Sequence, residues 1–154
     1  MANSLHPSRR GLILGAAAFA APVLPWAPSS AAETLPRMIV THDPTCGCCG
    51  AWVTHVKAAG FPVEVVQVPD VTPLKARLGV PYALASCHTA EIGGYVVEGH
   101  VPAEAIRRLL AERPQARGIA VAGMPAGSPG MEVSGQAPDI YDVVLFASGE
   151  QRSF

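Results

Sequence analysis

Three of the chain's four cysteines fall within "TCGCCGAW" (45–52), directly after an apolar run and directly before a stretch of helical period. "RMIVTHD" (37–43) carries Ile39 and Val40 and is followed by Pro44, so it reads as a buried strand closed by a turn. From Cys48 onward the period changes: Trp52, Val53, Val56 and Ala59 lie on one helical face, and Gly60 supplies the stop. Cys46 and Cys49 therefore stand in C-x-x-C spacing between a strand and a helix, the place where thioredoxin-type thiol oxidoreductases hold a dithiol. Unpaired amides and the positive end of the helix dipole stabilise a thiolate there, which favours nucleophilic attack and metal ligation alike. Cys48 separates the two chemistries. A dithiol has no need of it, a soft-metal site gains a third sulfur, and vicinal Cys48 and Cys49 match disulfide geometry poorly.

The remainder alternates in the same way. "FPVEVVQVP" (61–69) reads as a strand, and "VTPLKARLG" (71–79) as a short helix with Thr72 as cap, Pro73 at its first position and Gly79 at its end. "PYALASCHTAEIGGYVVEGH" (81–100) reads as a hairpin about Gly93-Gly94, and "VPAEAIRRLLAERP" (101–114) as an amphipathic helix. This order predicts an α/β fold in which one thioredoxin-like sheet is flanked by helices. "GIAVAGMPAGSPGMEVSGQAPD" (118–139) is rich in Gly, Pro and Ala without period, and "YDVVLFA" (141–147) reads as an added strand. A structureless segment near twenty residues in so small a domain implies a task. The domains are expected at 33–116 for the thioredoxin-like part and 117–154 for a C-terminal extension contributing ligands.

Residues 1–32 read as an export signal: Arg9 and Arg10, an apolar stretch to about Leu24, and Ser30-Ala31-Ala32 before Glu33. The stretch is too short and too proline-interrupted to span a membrane. "SRRGLIL" resembles the twin-arginine signal, with Leu12 where phenylalanine is commonest, and general secretion stays open. Either route places the mature chain outside the cytoplasm. Cleavage leaves nine Lys+Arg against twelve Asp+Glu, a charge of −3 that excludes the basic face a nucleic-acid binder needs. The full sequence is 49% hydrophobic, which supports a domain of this size burying a core by itself, and no long heptad or large apolar face demands a dimer. Four cysteines in an oxidising compartment would ordinarily make two structural disulfides, and their clustering argues against that.

Further soft or borderline ligands are Cys87, His88, Met124 and Met131. Thiolate and thioether together select reduced copper, whereas imidazole also suits oxidised copper and zinc. Met124 and Met131 lie in "GMPAGSPGME", where no regular element offers them a core face. Their alternative is gap filling. A Val-Pro such as Val80-Pro81 lies beside the dithiol in thioredoxin-like folds, which would bring Cys87 and His88 near the other cysteines. His55 reads as solvent-facing in mid-helix, His42 as near the strand end facing the cysteines, and His100 as either a ligand or a residue orienting the helix after Pro102.

Taken together, "PTCGCCGAWVTHVKAAGFPV", "LGVPYALASCHTAEIGGYVVEGHVPAEAI" and "GMPAGSPGME" with "YDVVLF" resemble the CopG-like family of bacterial copper-resistance proteins, over nearly all of residues 38–147. The resemblance implies a thioredoxin-like domain whose extension helps bind copper, several ions per chain, beside the C-x-C-C motif in the periplasm. It implies a copper oxidoreductase that interconverts cuprous and cupric ion in support of efflux, with copper efflux or oxidase components as partners. Carried over by position, the metal ligands are Cys46, Cys48, Cys49, Cys87, His88, Met124 and Met131, with Cys46 and Cys49 as the redox pair. His42 stands where the resemblance leads one to expect lysine, which allows an extra ligand. The competing readings are a copper carrier or sink, a thiol-disulfide oxidoreductase working through Cys46 and Cys49, and a disulfide-stabilised structural domain.

Overall fold

Strand β1 (Met38–His42) turns Met38 and Val40 into the core and leaves Ile39 on the opposite face, the period-two alternation of a strand with two different sides. The computed structural model to which β1 belongs describes Met1 and residues 34–154. The export signal read at residues 1–32 lies, Met1 apart, outside them. Strand β1 and six further strands form one mixed sheet in the order β2-β1-β3-β4-β5-β6-β7. These are β2 (Val63–Gln67), β3 (His88–Ile92), β4 (Tyr95–Glu98), β5 (Gly118–Ala120), β6 (Val144–Phe146) and β7 (Gln151–Ser153). The β1–β2 and β4–β5 pairs are parallel and the rest antiparallel, and Thr34–Phe154 make one compact unit.

Helices α1 (Gly47–Ala58) and α3 (Ala103–Glu112) cover one face of the sheet. Trp52, Val53 and Val56 from α1 and Ile106 and Leu109 from α3 pack on Met38, Val40, Ala90, Val97 and Ile119. Trp52 is fully buried, and its indole Nε1 donates to the Val101 carbonyl at 2.9 Å, so the largest core side chain also ties α1 to the start of α3. On the other face, Leu78 of α2 (Thr72–Leu78) and Leu84 pack on Val96, Ala120 and Phe146, with Val80 at the margin.

Helix α1 begins one residue earlier than its apolar period indicates, with Cys46 at the cap position. It ends as its sequence predicts. Gly60, at φ 87°, donates to Lys57 and Phe61 donates to Val56, the paired bonds of a Schellman stop. At α2 the expected Thr72 cap is corrected. Thr72 is already helical, and Asp70 Oδ1 accepts its amide at 2.8 Å, a carboxylate in the cap's place.

The segment 118–139, expected to be irregular, begins with β5. Gly118 lies so close to the Val96 carbonyl that no side chain fits, and three residues are too few to show a period. Strand β6 falls inside the run read as an added strand. Strand β7, "QRS", is fully exposed at the sheet edge and carries no apolar signal at all.

Candidate metal centre

The four cysteines meet where α1 starts and β3 starts. Cys46 precedes the first turn of α1 and is held by a tight turn in which its amide donates to the Asp43 carbonyl at 3.0 Å. Cys46 and Cys49 are joined as a disulfide, with Cα atoms 5.5 Å apart. Cys48 and Cys87 are free thiols. The Cys48 Sγ lies 3.6 Å from that of Cys46 and 3.8 Å from that of Cys87, and the Cys49 Sγ faces the Cys87 carbonyl at 3.8 Å.

A second group adjoins the first and shares Cys87. Its Sγ lies 3.1 Å from His100 Nε2 and 3.4 Å from His88 Nδ1. In each group, Cys46-Cys48-Cys49-Cys87 and Cys87-His88-His100, one ligand atom per residue falls within 4.8 Å of all the others. His100 Nδ1 lies 2.8 Å from the Pro129 carbonyl, and because a carbonyl only accepts, Nδ1 carries the proton. Its Nε2 therefore presents a lone pair to Cys87. His88 stacks against Trp52 with ring centroids 4.4 Å apart, and its Nε2 is the one buried side-chain nitrogen or oxygen without a hydrogen-bond partner among the described residues. The His88 nitrogen that faces the Cys87 thiol is the other one, Nδ1.

The electrostatics keep these groups neutral. Burial, reinforced by the charge of neighbouring Cys48, pushes the Cys87 thiol up to about 12. Burial holds the His88 imidazole down to about 3, with His100, Lys75 and His42 adding to the effect, and burial also lowers His100. A cation entering here meets two neutral imidazoles and a protonated thiol, whose proton it must displace to gain a thiolate.

The backbone before Cys87 is fixed from the far side of the sheet. Glu98 is fully buried, accepts the Ser86 amide at 2.7 Å and the Thr89 hydroxyl at 2.7 Å, and is paired with Lys75 at 2.5 Å. Burial raises the Glu98 carboxyl, and Lys75 opposes that rise.

The same overall arrangement occurs in a solved protein. The structure of copper resistance protein CopG, form 1, shares 47% identity with this chain, superposes with a TM-score of 0.72, and is matched over 77% of this chain and 94% of its own. This chain belongs to the CopG-like copper-resistance family. The CopG form 2 structure agrees, at 47% identity and a TM-score of 0.73 over 77% of this chain and 95% of that one. Residues 84–131 also match the family described as "protein of unknown function, DUF411". Comparison with curated proteins gives no match. In this CopG-like chain, the family match spans Cys87, His88 and His100 together with both methionines, and the three remaining cysteines lie before it.

Of the residues singled out from sequence, Cys46, Cys48, Cys49, Cys87 and His88 come together. The methionines sit on the segment after β5. Met131 is half-buried and follows Gly130, which packs on α1 so closely that a Cβ there would stand 2.7 Å from the Trp52 amide nitrogen and 3.0 Å from the Cys48 carbonyl. Met124 is 53% exposed and follows Gly123, whose carbonyl accepts the Ser86 hydroxyl. His100, read from sequence as ligand or orienting residue, is fully buried against Cys87. His42 pairs with His88 across β1 and β3 and donates from Nδ1 to the Asp43 carbonyl at 2.7 Å. It belongs to neither donor group. The expectation of a solvent-facing His55 is corrected: it is half-buried, and its Nε2 accepts the Ala103 amide at 3.2 Å, capping α3. Glu98 and Lys75 escaped sequence reading because neither stands beside a cysteine in the chain.

Proposed function

We propose that this chain is an exported copper-binding protein of copper resistance that interconverts cuprous and cupric ion, or sequesters copper, at the centre formed by Cys46, Cys48, Cys49, Cys87 and His88. The observation that carries the reading is the sharing of Cys87 between a four-sulfur group and a pair of imidazoles. Sulfur stabilises cuprous ion and nitrogen accommodates cupric ion, so one continuous donor set serves both states. Its relatives of known structure are copper resistance proteins, which supports copper over zinc as cargo. His100 joins the ligand set on its contact with Cys87, and Met124 and Met131 complete it from the extension, 117–154. The order β2-β1-β3-β4, with α1 and α3 on one face, supports reading 33–116 as a thioredoxin-like part.

Residues 1–32 then act as a signal, twin-arginine in type, that delivers the chain to the periplasm as a monomer, with copper efflux or oxidase components as partners. Among the described residues no helix is long and apolar enough to cross a membrane. The Cys46–Cys49 disulfide withdraws two sulfurs from ligation, so loading follows its reduction.

One specific observation favours a second reading, a thiol-disulfide oxidoreductase: the Cys46–Cys49 bridge at the start of α1. Copper content of the reduced mature protein separates the two. The copper reading expects two or more ions per chain, reduced in Cys48→Ser and in Met124→Leu/Met131→Leu. A chain that binds no copper yet reduces protein disulfides, with Cys48→Ser fully active, is an oxidoreductase.

A further inference from the structure

Two pairs of sulfurs stand side by side in the centre and only one pair is bonded. Cys48 and Cys87 remain free, 3.8 Å apart. A disulfide is about 2.0 Å long, so bonding them closes a gap of roughly 2 Å between sulfurs already near contact. The alternatives are poor. Cys49 is adjacent to Cys48, and adjacent positions match disulfide geometry badly. Cys46, 3.6 Å away, is already joined to Cys49. Cys87 is also placed independently of Cys48, because Glu98 anchors the preceding Ser86 amide.

We propose that Cys48 and Cys87 are a second redox dithiol, so that the fully reduced chain passes four electrons to cupric ion and closes two disulfides, not one. This rests on the copper reading above, and the thiols are the electron source. Two thiols lose one electron each to two cupric ions, two protons leave to solvent, and one S–S bond forms with two cuprous ions as product. The Cys46–Cys49 pair does the same. Cys48, superfluous to a single dithiol, thereby acquires a partner. Closing both bridges removes all four thiolates from ligation, so the oxidised chain loses its sulfur donors for the cuprous ions it has made.

The test mixes fully reduced protein anaerobically with excess cupric ion and a cuprous-specific chromophoric chelator, then alkylates and maps the disulfides by mass spectrometry. The expected result is four cuprous ions per chain, with Cys46–Cys49 and Cys48–Cys87 bonded at a rate independent of protein concentration. Cys48→Ser and Cys87→Ser each halve the yield and leave the Cys46–Cys49 bridge intact. Two cuprous ions from the unaltered chain, with Cys48 and Cys87 both alkylated, overturn the second dithiol and leave copper binding standing. Mapping of Cys48 to Cys46, or to another chain, overturns it as well. If diamide closes both bridges but cupric ion yields no cuprous product, the copper step itself is overturned.

Discussion

Replacing Gly130 with alanine puts one methyl group between the extension and α1. Gly130 has φ 84°, and the new Cβ would lie 2.7 Å from the Trp52 nitrogen, 3.0 Å from the Cys48 carbonyl and 3.2 Å from the Ala51 carbonyl carbon. The left-handed conformation alone costs about 1–2 kcal/mol for a residue with a side chain. The three contacts are helical backbone, which cannot rotate aside, so a further ~1–3 kcal/mol of overpacking falls on the docked extension. The sum, about 2–5 kcal/mol, shifts docking of this segment by a factor of roughly 30 to 4,000. Undocking releases the Pro129 carbonyl from His100 and, on the ligand set proposed above, withdraws Met131 from copper. Gly135 supplies the control: its φ is 80°, but nothing lies within 4 Å of its Cβ position, so Gly135→Ala carries the conformational cost without the contact. Thermal unfolding and cuprous-ion competition titration of both variants isolate the contact. Gly130→Ala is expected to weaken copper binding at least tenfold, and Gly135→Ala less than twofold. Equal melting temperatures and equal affinities for the two variants would refute the packing of Gly130 on α1.

Three further substitutions probe the supports of the centre. Lys75→Met leaves the fully buried Glu98 carboxylate unpaired and is expected to cost about 3–5 kcal/mol by urea unfolding. Because burial raises the Glu98 carboxyl and the variant removes the charge opposing that rise, folding then favours the protonated acid. Stability is retained below the ordinary carboxylate range and falls as pH rises above it, which unfolding curves at several pH values check. Trp52→Phe strands the Val101 carbonyl and removes part of the stack on His88, for a loss of ~1–3 kcal/mol in the same assay. His55→Ala removes the acceptor at the start of α3 and costs about 1 kcal/mol, with copper stoichiometry unchanged in metal analysis.

The elements that sequence reveals best are those whose physics is local. The α1 stop at Gly60, the α2 stop at Gly79 and the hairpin about Gly93-Gly94 each depend on a glycine at positive φ next to a clear apolar period, and each stands where the residues imply. Strands β5 and β7 depend on their neighbours. "GIA" is a strand because Val96 to Glu98 pair with it, and exposed "QRS" because Val144 to Phe146 do, and neither relation is written into three residues. The Thr72 expectation failed for a related reason: Thr72 and Asp70 are both competent caps, and only the backbone path decides between them.

The same distinction governs the centre. Three sulfurs are legible in "CGCC" because one helical turn brings them together whatever the rest of the chain does. Cys87 enters because β3 lies beside β1, so the residue before β3 arrives at the end of β1 from which the cysteine turn departs. His100 needs one step more. It stands two residues beyond the end of β4, and pairing of Thr89 with Glu98 across the hairpin carries it back to Cys87, thirteen residues away in the chain. Its tautomer needs yet another, because the carbonyl that fixes Nδ1 belongs to Pro129 on the extension. Each further requirement replaces a local spacing with a long-range pairing. The residues at the end of that sequence are His100, which sequence alone left open between ligand and orienting residue, and the Glu98–Lys75 support, for which it had no role.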